Sequence, residues 1–150
     1  MRRVVSFFAC ALLALAGCEN TGGLGERFKP AEPQRQEYEA SLERVHASAR
    51  HALVFMGFKV TRASAARGTV EAVNAVRADA QLRGASQVIV KVRLESTLDG
   101  GTVMEVWMAE IVEDAFTGAG GYGTRTPLKA SPLYDVLFRE TERLLQTPEN

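Results

Sequence analysis

Cysteine and histidine are scarce in this sequence. Its 150 residues include two cysteines, Cys10 and Cys18, and two histidines, His46 and His51. Two cysteines are too few to build the disulfide-stabilised fold of a small secreted protein. Since both cysteines lie in the first eighteen residues, we expect the rest of the chain to fold without a thiol.

A surplus of positive charge is also missing. Lys and Arg number 18, Asp and Glu number 18, and the formal net charge is zero. A general nucleic-acid binder needs a basic surplus to neutralise phosphates, so the balance argues against that class. A hydrophobic content of 46% with 24% charged residues excludes a wholly disordered chain, and the length favours one domain.

The apolar run at the N-terminus is too short for an ordinary membrane-spanning helix. It covers residues 4–16 with Ser6 as its only interruption, and these roughly 13 residues compare with about 20 in a spanning helix. Arg2 and Arg3 precede the run. A charged start followed by a short apolar segment is typical of a secretory signal peptide.

The residues that end this run, Leu15-Ala16-Gly17-Cys18, resemble the lipobox of bacterial lipoproteins. The resemblance implies that Cys18 receives a diacylglyceryl group, that cleavage falls between Gly17 and Cys18, and that two or three acyl chains, palmitate among them, anchor the protein. Two chains anchor stably, at about 0.8 kcal/mol per buried methylene. In enterobacterial lipoproteins, an Asp directly after the lipidated cysteine favours retention in the inner membrane. Because this position is Glu19, the resemblance favours the outer membrane, and the inner membrane is the alternative. An ordinary signal peptide with Cys18 present by chance is the other reading.

A polar segment follows the cysteine. Residues 18–36 contain three glycines, two prolines and scattered charges, which cannot form a core. We predict a flexible tether that reaches roughly 60 Å when extended and roughly 23 Å as a coil. The chain therefore divides into a signal peptide (1–17), a lipidated tether (18–36) and a folded domain (37–147).

Apolar periodicity predicts a helix at each end of the domain. The first apolar stripe consists of Tyr38, Leu42, Val45, Ala49, Leu53 and Met56. Gly57 suits the C-terminal cap of that helix. The second stripe consists of Leu133, Val136, Leu137, Glu140 and Leu144. Ser131 suits the N-cap of the second helix and Pro132 its first position.

Alternating patterns predict strands at residues 58–62, 69–73 and 87–95. A fourth strand is predicted at residues 102–112, which are apolar on both faces, so we expect it to be covered on both sides. Asp99-Gly100-Gly101 predicts a hairpin turn. Residues 74–86 are ambiguous between a short helix and a loop, and residues 113–130 are predicted to be a loop. The expected fold class is α+β: a two-layer sandwich in which an antiparallel four-stranded meander is packed by an N-terminal and a C-terminal helix.

With this order, the chain resembles a family of small bacterial lipoproteins of unknown function. The matching runs are Gly57-Phe58-Lys59-Val60 and Gly68-Thr69-Val70-Glu71-Ala72, with Tyr38 near the helix start. The hairpin 88–112, the glycines of 118–123 and the helix 133–145 complete the match. A weaker, fold-level similarity is to the helix-grip domains of outer-membrane assembly lipoproteins. Neither resemblance implies a catalytic residue.

No set of residues is arranged for catalysis or metal binding. His46 and His51 fall about 140° apart on the first predicted helix, so they cannot hold one metal together. His46 lies at the edge of the apolar stripe and His51 roughly opposite. Glu113 and Asp114 lack further oxygen ligands at regular spacing. The glycines of Gly118 to Gly123 match Gly-x-Gly-x-x-Gly formally, but no helix begins directly after them, so we predict a mobile loop and no cofactor.

Aromatic residues near that loop are the remaining candidates for a site. Trp107 lies on a predicted strand, and Phe116 and Tyr122 flank the glycines. They form a candidate contact surface, unless the loop folds back and buries Trp107. We expect a non-enzymatic, membrane-anchored lipoprotein that binds another envelope component on the periplasmic face, without nucleic acid. A small-ligand (lipid-like) carrier with a cavity between sheet and helices is the alternative, and an enzyme is the third. The oligomeric state stays open.

Overall fold

The computed structural model describes residues 31–79, 84–114 and 124–147. In chain order the elements are β1 (Gln34–Tyr38), α1 (Leu42–Phe55), β2 (Lys59–Ser64), β3 (Thr69–Val73), β4 (Arg77–Asp79), β5 (Gly84–Ser96), β6 (Thr102–Asp114), β7 (Thr124–Pro127) and α2 (Leu133–Gln146). One 3-10 turn, Ala65–Arg67, joins β2 to β3. In the described part of the chain, neither helix has the length and apolar content that crossing a membrane requires.

All seven strands belong to one antiparallel sheet built around the β5–β6 hairpin, whose strands have 13 residues each. On the β5 side, β3 and β4 lie end to end along the same strand, and β2 pairs with β3 at the edge. On the β6 side, β1 and β7 lie end to end. The long hairpin is therefore flanked by two pairs of short collinear strands.

The predicted α+β class and antiparallel sheet are confirmed, but the count of four strands is wrong. The predicted strands correspond to β2, β3, β5 and β6, in the predicted meander order. The three additional strands are short and polar: QRQEY, RAD and TRTP. Their sequences lack the alternation of apolar and polar residues, because each pairs only with a flank of the hairpin and most of their described side chains are exposed.

Tyr38 belongs to β1 and not to the first helix. The helix begins at Leu42, and β1 begins at Gln34, inside the segment predicted as tether. Tyr38 is buried, and its hydroxyl donates to the carbonyl oxygen of Phe138 on α2 (3.2 Å between the oxygens). A buried aromatic residue four positions before Leu42 matches the helical stripe by spacing alone, which explains the wrong prediction.

Both helices pack on one face of the sheet and against each other. The largest fully buried side chains of this layer include Leu53 of α1, Met104 of β6 and Leu137 of α2. Arg44 near the start of α1 donates to the carbonyl oxygen of Leu145 near the end of α2 (2.8 Å). The helices are thus joined across the core and at its rim.

The predicted C-terminal cap of α1 is confirmed, whereas the N-cap of α2 is Pro132, one residue after the predicted Ser131. Gly57 has φ +83°, and the amide N–H of Phe58 donates to the carbonyl oxygen of Leu53 (2.9 Å), as in a Schellman C-cap. The Ser131 hydroxyl oxygen accepts from the Leu133 amide (3.3 Å) at the start of α2.

The predicted apolar stripe of α2 is partly wrong, because Val136 is 37% exposed. The residues that α2 buries are Tyr134, Leu137 and Thr141.

The turn before β3 is packed tightly against β5. Gly68 has φ +59°, and its carbonyl oxygen accepts the amide N–H of Leu94 at 2.7 Å. A Cβ atom at Gly68 would lie 2.4 Å from the carbonyl oxygen of Leu94. Both the left-handed backbone and the close approach therefore require glycine at this position.

Candidate functional site: the outer face of the sheet

The sheet face opposite the helices, here called the outer face, carries the alternate residues of each strand. Along β6 these are Val103, Glu105, Trp107, Ala109 and Ile111. The intervening residues of β6, such as Met104 and Val106, are buried against the helices. Within residues 31–79, 84–114 and 124–147, the two helices pack only on the inner side, so neither covers the outer face.

Ion pairs cross the half of the outer face nearest the β5–β6 turn. Glu105 of β6 stands opposite Arg35 of β1 and Arg93 of β5 in the strand register. Its carboxylate is 2.7 Å from the guanidinium of Arg35, and its side chain is only 11% exposed. Arg93 pairs with Glu95 along its own strand. Opposite charges on cross-strand neighbours stabilise the pairing of β1 with the hairpin.

Trp107 lies beside the point at which the described chain enters the sheet. Its indole N–H donates to the carbonyl oxygen of Ala31 (3.0 Å from Nε1). The side chain is half-buried, and Lys91 of β5 is its direct neighbour in the register. Since β1 begins three residues after Ala31, Trp107 holds the entering segment at the margin of the outer face.

Around Trp107 the outer face combines apolar and cationic side chains. We define the Trp107 patch as the residues that share this half of the outer face: Trp107, Ala109, Ile111, Gln87, Ile89, Lys91, Val73, Lys59 and Arg125. The side chains of Ile89, Ile111 and Val73 are half-buried, and those of the three cations are exposed. Arg62 and Glu71, which border the patch, pair with each other at 3.6 Å.

The predicted contact surface is only partly within the described residues. Trp107 and Ile111 share one face of β6, opposite the buried Met104 and Met108. Phe116, Tyr122 and the glycines of 118–123 lie outside the described residues, as do Gly17 and Cys18. Their grouping with Trp107, and the alternative that the loop covers it, stay predictions.

The two histidines lie on α1, which packs on the other side of the sheet from the Trp107 patch. His46 is buried, with Nε2 3.3 Å from the carbonyl oxygen of Thr69, and His51 is exposed. Glu113 and Asp114 are the last two residues of β6. Among the described residues, no group of three or more His, Cys, Asp or Glu side chains could hold a metal ion.

Two buried tyrosines form hydrogen bonds between the sheet and α2: Tyr134 with the amide of Met108, and Tyr38 with the carbonyl oxygen of Phe138. The Tyr134 hydroxyl accepts the amide N–H of Met108 at 2.9 Å. Met108 lies in the gap along β6 between the residues that pair with β1 and those that pair with β7. Burial, reinforced by the charge of Glu142, raises the pKa of the Tyr38 hydroxyl above its ordinary value. The sequence offered no signal for either role, because the spacing of tyrosines does not reveal which backbone group lies near them.

Two surface clefts are formed by described residues. One, of about 640 Å³, is lined by Glu37, Tyr38, Glu39 and the turn residues 99–101. The other, of about 460 Å³, lies between β1 and α2, with Phe138 and Arg139 in its lining. Both open at the rim of the domain, and fully buried side chains fill the described layer between sheet and helices. The ligand-carrier alternative gains no support from these clefts.

Comparison with known proteins assigns no family to this chain. No protein-family profile matches the sequence. No curated protein matches it either. Among solved structures, the chain is similar to the crystal structure of a DUF4468 family protein from Bacteroides ovatus, with 10% sequence identity, 80% of this chain and 90% of that chain covered, and a TM-score of 0.44. A likeness this distant carries no argument about function.

Proposed function

We propose that this chain is a lipid-anchored protein of the bacterial envelope, non-enzymatic, whose α+β domain binds another envelope component through the outer face of its sheet. The observation that carries the binding role is the Trp107 patch. This sheet face holds a half-buried tryptophan, and within the described residues neither helix covers it. Tryptophan and arginine are enriched at binding surfaces, since each combines a large contact area with a polar group.

The anchoring role is supported by the N-terminal sequence. Arg2 and Arg3, the apolar run 4–16 and the four residues that end in Cys18 all agree with a lipoprotein signal. After cleavage before Cys18, the loss of two arginines changes the charge from zero to about −2, since 18 − 2 leaves 16 basic residues against 18 acidic ones. We place the anchor in the outer membrane, on its periplasmic side, because Glu19 follows the cysteine.

Acyl labelling tests the anchor directly. Cys18→Ala should abolish labelling with radioactive palmitate and leave the uncleaved precursor, because the modified thiol directs cleavage. Cys10→Ala is the matched control: it removes the other cysteine from the same signal segment and should leave labelling and cleavage unchanged. Normal maturation of Cys18→Ala would rule out the lipoprotein assignment.

Site-specific photo-crosslinking tests the contact surface. A photoreactive residue at Lys91 places the probe beside Trp107 on the outer face, and the same residue at Arg50 places it on the exposed side of α1. We expect adducts to another envelope component from position 91 and not from position 50. Equal adducts from both positions, or adducts from position 50 alone, would contradict binding through the outer face.

A further inference from the structure

We infer that the Trp107 patch rests on the headgroup layer of the membrane that holds the anchor, with anionic phospholipid as the recognised chemistry. The inference depends on the proposed lipid anchor, and it names the envelope component that the outer face binds. Three observations carry it: where the tether joins the domain, which charges on the outer face lack a partner, and which apolar side chains lie among them.

The tether joins the domain at the margin of the outer face. Ala31, whose carbonyl accepts the Trp107 indole N–H, is 31 − 18 = 13 residues from Cys18. A chain of 13 residues reaches about 45 Å when extended and about 20 Å as a coil. An acylated Cys18 would therefore keep Trp107 within a few tens of ångströms of the bilayer, and the side of the domain nearest the attachment point is the outer face.

The charges of the Trp107 patch are suited to an anionic surface. Among the described residues, Lys59, Lys91 and Arg125 have no carboxylate within 4.0 Å, whereas the arginines of the other half of the outer face are paired with Glu105 and Glu95. Glu71 stands opposite Lys91 in the strand register but pairs with Arg62 at 3.6 Å, and this bordering pair is neutral as a unit. The patch thus presents three cations, and each cation near an anionic leaflet contributes about 1 kcal/mol of attraction.

The apolar side chains of the patch lie between these cations. Trp107, Ile89 and Ile111 are neighbours on β5 and β6, with Lys91 and Arg125 beside them in the register. Tryptophan is enriched at membrane interfaces because its apolar ring and polar N–H suit the headgroup level. A sheet surface with cations around an aromatic and two isoleucines therefore has the composition of an interfacial binding face.

The test uses the acylated full chain, reconstituted into vesicles that contain lipids with a nitroxide on the headgroup. Trp107 is the single tryptophan of the chain, so fluorescence quenching reports its contact with headgroups without a further label. We expect strong quenching in vesicles of equal phosphatidylcholine and phosphatidylglycerol, and weak quenching in phosphatidylcholine alone. The double variant Lys91→Gln with Arg125→Gln should shift the equilibrium by about 30-fold from the domain in contact with headgroups toward the anchored domain without that contact. Its quenching should fall toward the level seen with phosphatidylcholine alone.

The control variant removes two positive charges from the helix side, through Arg50→Gln and Arg139→Gln, both of which are exposed. It should retain the quenching of the unmodified protein. Flotation of the vesicles distinguishes the two proposals. If the protein floats with the vesicles but its quenching does not depend on lipid charge, the lipid anchor is supported and contact of the Trp107 patch with headgroups is overturned. Protein that does not float, or that lacks the acyl groups, overturns the anchor itself. Equal loss of quenching in both double variants would also overturn the assignment to the Trp107 patch.

Discussion

Replacing Gly68 by alanine should destabilise the domain far more than the same change at Gly57, although both glycines have positive φ. At Gly57 (φ +83°) no atom lies within 4 Å of the position a Cβ would take, so the cost is that of the left-handed backbone, about 1 kcal/mol. At Gly68 the backbone cost is similar, but the Cβ would lie 2.4 Å from the carbonyl oxygen of Leu94. Such a contact requires the turn to move away from β5.

That movement has a second cost, because the Leu94 amide donates to the Gly68 carbonyl at 2.7 Å. Losing the hydrogen bond costs about 1 kcal/mol, and strain from overpacking typically costs 1 to 3 kcal/mol more, so we expect a total of about 4 kcal/mol. Urea unfolding of the purified protein in mild detergent, followed by Trp107 fluorescence, measures both variants. With an m-value of about 1.5 kcal/mol/M, the midpoint should fall by more than 2 M for Gly68→Ala and by less than 1 M for Gly57→Ala. Equal shifts for the two variants would refute the close approach of Gly68 to β5.

Three further predictions concern the interface between sheet and helices. Leu137→Ala should lower the free energy of unfolding by about 3 kcal/mol, because Leu137 is fully buried. Val136→Ala on the same helix should change it by less than about 1 kcal/mol. Comparable losses for the two variants would contradict the burial of the Leu137 side of α2. Tyr134→Phe should cost about 1 to 3 kcal/mol, since the Met108 amide loses its acceptor, and an unchanged midpoint in urea would argue against that hydrogen bond. Folding raises the pKa of the Tyr38 hydroxyl, so the contribution of Tyr38 to the free energy of unfolding is full below pH 10 and is lost as the pH rises further. Tyr38→Phe should therefore reduce the loss of stability at alkaline pH. Identical pH profiles of the free energy of unfolding for the variant and the unmodified protein would exclude the effect.

The sequence allowed the centre of the fold to be predicted because its strands and helices carry their own periodic signals. In β5 the alternation of apolar and polar residues follows from one face in the core, β6 carries a long apolar run, and the turn residues 99–101 mark the end of their hairpin. In α1 the stripe from Val45 to Leu53 follows from burial against the sheet. These signals are local, so no knowledge of neighbouring elements was needed.

The missed features depend on contacts between distant parts of the chain. β1 is a strand only because β6 supplies its hydrogen-bond partners, and its sequence is polar on both faces apart from Tyr38. Thr141 is buried although it is polar, because its hydroxyl donates to the carbonyl oxygen of Leu137 within the same helix. For the site, the grouping of Lys59, Lys91 and Arg125 around Trp107 follows from the register of β2, β5 and β7, which the sequence pattern does not specify.

The position of β1 also constrains the order in which the domain can fold during synthesis. Its first residue, Gln34, pairs with Val106, which is 106 − 34 = 72 positions later in the chain. When β1 leaves the ribosome, its partner strand has not yet been synthesised. β1 is therefore among the last of the described strands to join the sheet, and until β6 is synthesised its residues are unpaired and can be bound by a chaperone or cut by a protease.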